Sequence, residues 1–166
     1  MLNTTGFGKI KLVYGALAAG MAMALAACES EAPVEAAPEG VVPGIEIENA
    51  RLMLPPVSGN PAAVYFDLTY TGDRGLSISG AEVEGAEKTE VHDTMEYEFK
   101  MQMGETGPVA MRQGETVSFE PGGKHIMAFG LDESITPGST VEVAIRVSGG
   151  DKHKFQAEVK AAGDER

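Results

Sequence analysis

The chain has 166 residues, with 13 Lys and Arg against 25 Asp and Glu, a single Cys, 21 Gly and 9 Pro. This length gives room for one ordinary domain and excludes a large multidomain enzyme. The formal net charge is −12, and the sequence has no block of basic residues that could neutralise the phosphates of a nucleic acid. A DNA or RNA partner is therefore not expected. One cysteine also excludes an intramolecular disulfide.

The amino-terminal segment has the features of a secretory signal. Lys9 and Lys11 precede a run of small and apolar residues from 12 to 27, and this run ends in Leu-Ala-Ala before Cys28. A positively charged start, an apolar stretch and small residues before a cleavage point define such a signal. A transmembrane anchor is the alternative, but the run is shorter than the ~20 apolar residues that span a bilayer.

The Leu-Ala-Ala-Cys sequence resembles a bacterial lipobox, in which the signal is removed before the cysteine and the new amino-terminal cysteine is lipidated. We therefore predict a signal peptide at 1–27, a lipidated Cys28 that begins an acidic Ala/Pro/Glu tether at 28–43, a β domain at 44–162 and a tail at 163–166. The tether is too polar to be buried in a folded core, and its negatively charged residues repel one another. The predicted location is the periplasmic side of the cell envelope, with attachment to the membrane through lipid.

Beyond the tether, apolar residues alternate with period two, which indicates β-strands. Strands are predicted at 44–54, 63–70, 76–83, 116–120, 125–131, 141–147 and 154–159, with a further strand at 88–91. Gly, Pro, Asp and Ser separate these segments and interrupt most helical windows. Short strands at such intervals are typical of a sandwich or barrel, so the fold class is all-β and almost no helix is expected.

Thioether and imidazole side chains cluster in one part of the predicted domain. Five of its six methionines and two of its three histidines lie between positions 92 and 127. His125 and Met127 are two residues apart, so on a strand both side chains point to one face and could share an ion. This pair alone is a weak signal, because a surface histidine beside a core methionine is common.

The donor types restrict the metal that such a cluster could hold. Thioether sulfur is soft and uncharged, and it suits Cu(I) together with imidazole. Zinc prefers Cys, His and carboxylate, so a zinc site would recruit Glu90, Asp93 or Glu96 and would leave the methionines unexplained. A blue-copper electron carrier needs a Cys thiolate, and the one cysteine lies in the predicted lipobox.

A longer sequence pattern includes residues from both ends of this cluster. His92, Met103, His125 and Met127 form the sequence H-x10-M-x21-H-x-M. This pattern resembles the signature of periplasmic PCuAC-type copper chaperones. The segment from Pro121 to Leu131, which reads P-G-G-K-H-I-M-A-F-G-L, is similar to the same family, and the resemblance extends over about residues 45–150.

The resemblance implies a cupredoxin-like, Greek-key β domain that binds one Cu(I) through His92, Met103, His125 and Met127. It also implies delivery of copper to respiratory oxidase centres, especially that of cytochrome c oxidase, with a copper-accepting oxidase subunit and a Sco-type protein as partners. Two alternatives stay open at this point. One is a structural or ligand-binding sandwich lipoprotein without metal, and the other is a copper storage or detoxification protein.

The other methionines and the third histidine lie outside this four-residue pattern. Met53 and Met111 are expected in the core, Met95 and Met101 stay open as alternative ligands, and His153, between two lysines, is expected on the solvated surface. Catalytic motifs are missing from the sequence. The glycine and lysine before His125 lack the Ser or Thr of a phosphate-binding loop, so no enzymatic activity is predicted.

Overall fold

The computed structural model describes residues 39–164, which belong to one compact unit made of ten strands. The strands are β1 (Ile45–Met53), β2 (Ala62–Tyr70), β3 (Leu76–Val83), β4 (Lys88–Tyr97), β5 (Lys100–Glu105), β6 (Val109–Met111), β7 (Glu115–Phe119), β8 (His125–Phe129), β9 (Thr140–Val147) and β10 (Lys152–Lys160). No helix occurs in this part of the chain, and hence none that could cross a bilayer. The predicted all-β, single-domain fold is confirmed.

All ten strands belong to one mixed sheet. Its order is β5-β4-β8-β2-β1-β10-β9-β3-β6, and β7 pairs with the second half of β2. The β1–β10 pair is parallel and the other pairs are antiparallel. Although β3 and β4 are far apart in this order, the Thr89 hydroxyl of β4 donates a hydrogen bond to the Ala81 carbonyl of β3. The sheet therefore folds over on itself around a core.

Strand β2 shows how the sequence produces this core. Its side chains alternate between buried and half-exposed along the whole strand, as expected for a strand with one face toward the interior. Phe66, at its centre, stacks on Phe119 of β7 with ring centroids 4.3 Å apart and packs at a tilt against Phe155 of β10, 5.0 Å away. Strand β2 is thus connected to two others, β7 and β10, through a single aromatic cluster.

The β4–β5 hairpin differs from the expectation. The strand expected at 88–91 extends to Tyr97, and β5 lies where the sequence indicates no strand. The two strands are joined by a two-residue turn, Glu98-Phe99, whose φ angles of 51° and 62° are those of a type I′ turn. Neither residue is Gly or Asn, the usual occupants of such a turn, so the sequence carried no turn signal here.

The packed structure begins before the predicted start at residue 44. The Gly40 carbonyl accepts a hydrogen bond from the Lys154 amide of β10 at 2.7 Å, and Val42 is part of the core. The expectation for His153 is wrong. This side chain is only 6% exposed, and its Nδ1 accepts a hydrogen bond from the Val42 amide at 3.2 Å. Alternation along β10 places it on the same face as Ala157 and Val159, which are buried.

Burial of His153 should make the domain sensitive to acid. Burial lowers the pKa of this histidine, because the charged form is poorly solvated inside the protein. Its folded-state pKa therefore lies below the unfolded value of about 6.5, and the unfolded chain takes up the proton first. The stability that neutral His153 contributes is present above this value and is lost as pH falls below it.

We expect His153→Asn to weaken this pH dependence, because Asn Oδ1 can replace Nδ1 as acceptor and does not titrate. Urea denaturation on either side of pH ~6.5 measures the effect, whose slope for one proton is at most about 1.4 kcal/mol per pH unit. An identical loss of stability on acidification in the variant would contradict the prediction.

Candidate metal centre

Two of the predicted ligands face each other across neighbouring strands. His92 of β4 lies directly opposite His125 of β8 in the antiparallel pair, and their ring centroids are 5.8 Å apart. Both rings are shielded from solvent: the His92 side chain is 13% exposed, and His125 is buried. Tyr65 of β2 packs near His125, with ring centroids 6.2 Å apart.

The strand register places the two methionines on the same face, on either side of His92. Met103 of β5 lies opposite Thr94, two pairs along from the Glu105–His92 pair. Met127 of β8 lies opposite Glu90, two pairs from the His92–His125 pair in the other direction. Directly opposite side chains share a face, and diagonal neighbours about 7–8 Å apart are within reach of long side chains. His92 is therefore opposite one candidate ligand and diagonal to the other two.

This face is the one turned away from the core. Val91, Ile126 and Val64 occupy one row of cross-strand pairs and all point into the interior. Because strand side chains alternate, the residues next to them along the chain point outward. Met103 lies within β5, and all four side chains project from strands.

The turn before β8 fixes the orientation of the His125 ring. The Gly123 amide donates to the Glu120 carbonyl at 3.0 Å, with Pro121 and Gly122 between them and a φ of 81° at Gly122. A proline followed by a glycine with positive φ is characteristic of a type II turn. The Gly123 carbonyl accepts a hydrogen bond from His125 Nδ1 at 2.9 Å, so Nδ1 carries the proton and the lone pair is on Nε2.

His92 has one nitrogen paired and one unpaired. Its Nε2 is 2.8 Å from Oε2 of Glu90, whose other carboxylate oxygen contacts Lys88 Nζ. The Lys88 hydrogen bond, followed by that of His92, lowers the pKa of the Glu90 carboxyl, so Glu90 is an acceptor. In residues 39–164, His92 Nδ1 is the one buried side-chain polar atom without a hydrogen-bond partner. Such an atom costs about 1–3 kcal/mol unless a ligand uses it.

The methionines differ in how exposed they are and in the face of the sheet from which they project. Met53 and Met111 are buried, as predicted. Met101 lies opposite Glu96 on the candidate face, whereas Met95 lies opposite Gln102 and points to the other side. Met103 is 58% exposed, although thioether side chains are ordinarily buried. Its position on an open face is unusual for packing and accessible to a metal.

The alternative zinc donors do not form a metal site with the two histidines. No three His, Cys, Asp or Glu side chains between residues 39 and 164 lie close enough together to hold a metal ion. Asp93 forms an ion pair with Lys124 at 3.0 Å, and its position in β4 directs it away from the His92 face. The side chains that do share the candidate face with the two histidines include thioethers, the donors that suit soft Cu(I).

Comparison with known proteins identifies both a family and a fold. A family model described as "Putative lipoprotein LpqE-like" matches residues 45–159. The chain is 25% identical over 153 residues, 90% of each chain, to "Putative lipoprotein Lxx21020" of Leifsonia xyli subsp. xyli (strain CTCB07).

Solved structures of other proteins also resemble the domain. The copper-bound PCuAC domain from PmoF2 superposes with a TM-score of 0.60 and 18% identity, covering 75% of this chain and 99% of that domain. The solution structure of CuI-DR1885 from Deinococcus radiodurans superposes with a TM-score of 0.57 and 22% identity, covering 76% of this chain and 84% of that one. These likenesses show that the domain has the PCuAC fold, as the sequence resemblance implied.

Proposed function

Because the chain belongs to the LpqE-like lipoprotein family, we propose that it is a lipid-anchored copper chaperone that works outside the cytoplasm. It is a binding protein and not an enzyme. It holds one Cu(I) through His92, Met103, His125 and Met127, and it passes the ion to a copper-accepting protein.

One observation carries this proposal. The four residues of the H-x10-M-x21-H-x-M pattern, which are distant in the sequence, lie on three adjacent strands and share one face of the sheet around His92. Two thioethers and two imidazoles form a soft, neutral donor set, which favours Cu(I) over hard cations. The buried Nδ1 of His92, which has no hydrogen-bond partner, supplies a nitrogen that a metal could use.

The exposure of the candidate ligands argues against the metal-free alternative. In a sandwich lipoprotein whose methionines only fill the core, those side chains should be buried. Met53 and Met111 fit that description, but Met103 is more than half exposed. Packing therefore does not account for Met103, whereas exchange of a metal with another protein requires an accessible ligand.

The anchor and the location are also proposals. Cys28 and the predicted signal peptide lie outside the described residues. A lipidated Cys28 on the periplasmic side of the envelope would agree with the family description and with the name of the Leifsonia relative. It would hold the domain near membrane-embedded respiratory oxidases. We propose the copper centre of cytochrome c oxidase as the destination, with a copper-accepting oxidase subunit and a Sco-type protein as partners.

Titration of the full chain with Cu(I), under reducing conditions and against a competing chelator, tests the metal site. We expect one equivalent to bind. His92→Ala and His125→Ala should each weaken binding by more than ~100-fold, because loss of an outer partner of a ligand alone costs 10–100-fold. His153→Asn is the matched control, since His153 lies on β10, and it should bind copper normally. Unchanged affinity in both alanine variants would refute the site.

Delivery is tested separately from binding. The Cu(I)-loaded chain is mixed with the metal-free copper subunit of an oxidase, the two proteins are separated, and copper is measured in each. We expect most of the copper to reach the subunit. Retention of copper by this chain, with its binding site intact, would identify a storage or detoxification protein instead.

A further inference from the structure

Glu90 occupies a special position beside the candidate ligands. It lies two residues before His92 on β4, so both side chains project from the same face, and it lies directly opposite Met127. Its side chain is only 18% exposed. Of its two carboxylate oxygens, Oε1 contacts Lys88 Nζ and Oε2 is 2.8 Å from His92 Nε2. The carboxylate is therefore held between a cation and the imidazole ring.

This contact determines where the proton of a neutral His92 ring resides. An ionised carboxylate only accepts hydrogen bonds, and a neutral imidazole has one N–H donor and one lone pair. With Glu90 at Nε2, the proton is on Nε2 and the lone pair is on Nδ1. This Nδ1 is buried and has no partner in the described chain. The ring therefore presents its lone pair at an atom that no protein group uses.

The second histidine has the opposite arrangement. His125 donates from Nδ1 to the Gly123 carbonyl, which leaves its lone pair on Nε2. In metal sites, a carboxylate or carbonyl that receives the other ring N–H of a ligand histidine fixes its tautomer and orientation. Glu90 and the Gly123 carbonyl have this relationship to the two candidate ligands.

We propose that Glu90 is a positioning residue that holds His92 in its Nε2–H tautomer, so that His92 binds Cu(I) through Nδ1 while His125 binds it through Nε2. This inference rests on the proposed function. The two imidazoles, opposite each other in the sheet, would then ligate through different nitrogens. Lys88 contributes indirectly, by holding the other oxygen of Glu90.

Nitrogen NMR of the full chain, labelled with ¹⁵N in histidine, tests the tautomer without metal. The chain has three histidines, so the spectrum is simple to assign. At mildly alkaline pH, we expect His92 to show a protonated Nε2 in the wild type and in Glu90→Gln, whose amide oxygen can still accept. In Glu90→Ala we expect a mixture of both tautomers. Cu(I) is diamagnetic, so the loaded wild type should show the metal-bound shift at Nδ1 of His92 and at Nε2 of His125.

Copper affinity provides the second measurement. Glu90→Ala should weaken Cu(I) binding by ~10–100-fold, the usual effect of losing an outer partner, and Glu90→Gln should restore most of it. Glu96→Ala is the matched control, because Glu96 lies on the same strand and the same face but opposite Met101. It should change neither the tautomer nor the affinity.

Three results would overturn the inference: an unchanged His92 tautomer in Glu90→Ala, copper bound at Nε2 of His92, or unchanged or stronger binding in Glu90→Ala. Stronger binding would mean that Glu90 competes with copper for the ring. Failure of the wild-type chain to bind Cu(I) would overturn the proposed function, and with it the role of Glu90 in copper binding. The metal-free spectra measure the Glu90–His92 pairing independently of that result.

Discussion

Leucine at both Met103 and Met127 is expected to leave the protein folded but to remove its thermal stabilisation by copper. A ligand that binds only the folded state at about 100 times its Kd adds about 2.7 kcal/mol, or roughly 10 °C in a domain of this size. Leucine nearly conserves the volume of methionine, so the metal-free protein should lose less than about 1.5 kcal/mol. Thermal unfolding with and without Cu(I) measures both effects.

Met111→Leu is the control for this double variant. Met111 is 1% exposed and lies on β6, away from the candidate face. Its replacement should cost a similar small amount of stability and keep the full copper shift. If the double variant also keeps the shift, the thioethers of β5 and β8 are not copper ligands, and the His2Met2 site is wrong.

The largest loss of stability is expected from Phe66→Ala. Phe66 is 1% exposed and contacts both Phe119 and Phe155, so its removal leaves a cavity where β2, β7 and β10 meet. Such truncations cost about 3–5 kcal/mol, a large fraction of the 5–15 kcal/mol typical of a folded domain. Urea denaturation monitored by circular dichroism gives the difference.

The β4–β5 turn offers a matched comparison in the same chain. Phe99 is 97% exposed, so Phe99→Ala deletes the same atoms without opening a cavity and should change stability by no more than about 0.5 kcal/mol. Similar losses in the two variants would show that the Phe66 cluster does not stabilise the core.

Much of the fold could be predicted because its signals are local. Strand β2 alternates over its whole length, and the turn at Pro121-Gly122 has the residues that a type II turn requires. The spacing of His92, Met103, His125 and Met127 identified the candidate ligands, and the structure places them on one face. Their role in binding copper stays a prediction.

The errors arose where local signals were weak or were outweighed. Strand β5 contains Met-Gln-Met-Gly and no β-branched residue, and its turn uses Glu98 and Phe99, so neither strand nor hairpin could be read from propensity. For His153, the neighbouring Lys152 and Lys154 indicate a solvated position, which is wrong because the side chain is buried. The alternation that it shares with Ala157 and Val159 was the stronger signal, because register decides which side of a strand is buried.

Because β5, β4 and β8 pair in antiparallel fashion, the spacing of the ligands in the sequence determines which face of the sheet each side chain occupies. Across each of these pairs an even-numbered residue meets an odd-numbered one, so even-numbered His92 shares a side with odd-numbered Met103, His125 and Met127. One residue inserted within β5, between Lys100 and Met103, would turn this thioether to the far side, and a second would turn it back. The number of residues between His92 and Met103 is ten, and its being even keeps both side chains on one face. This segment is therefore not a loop of free length.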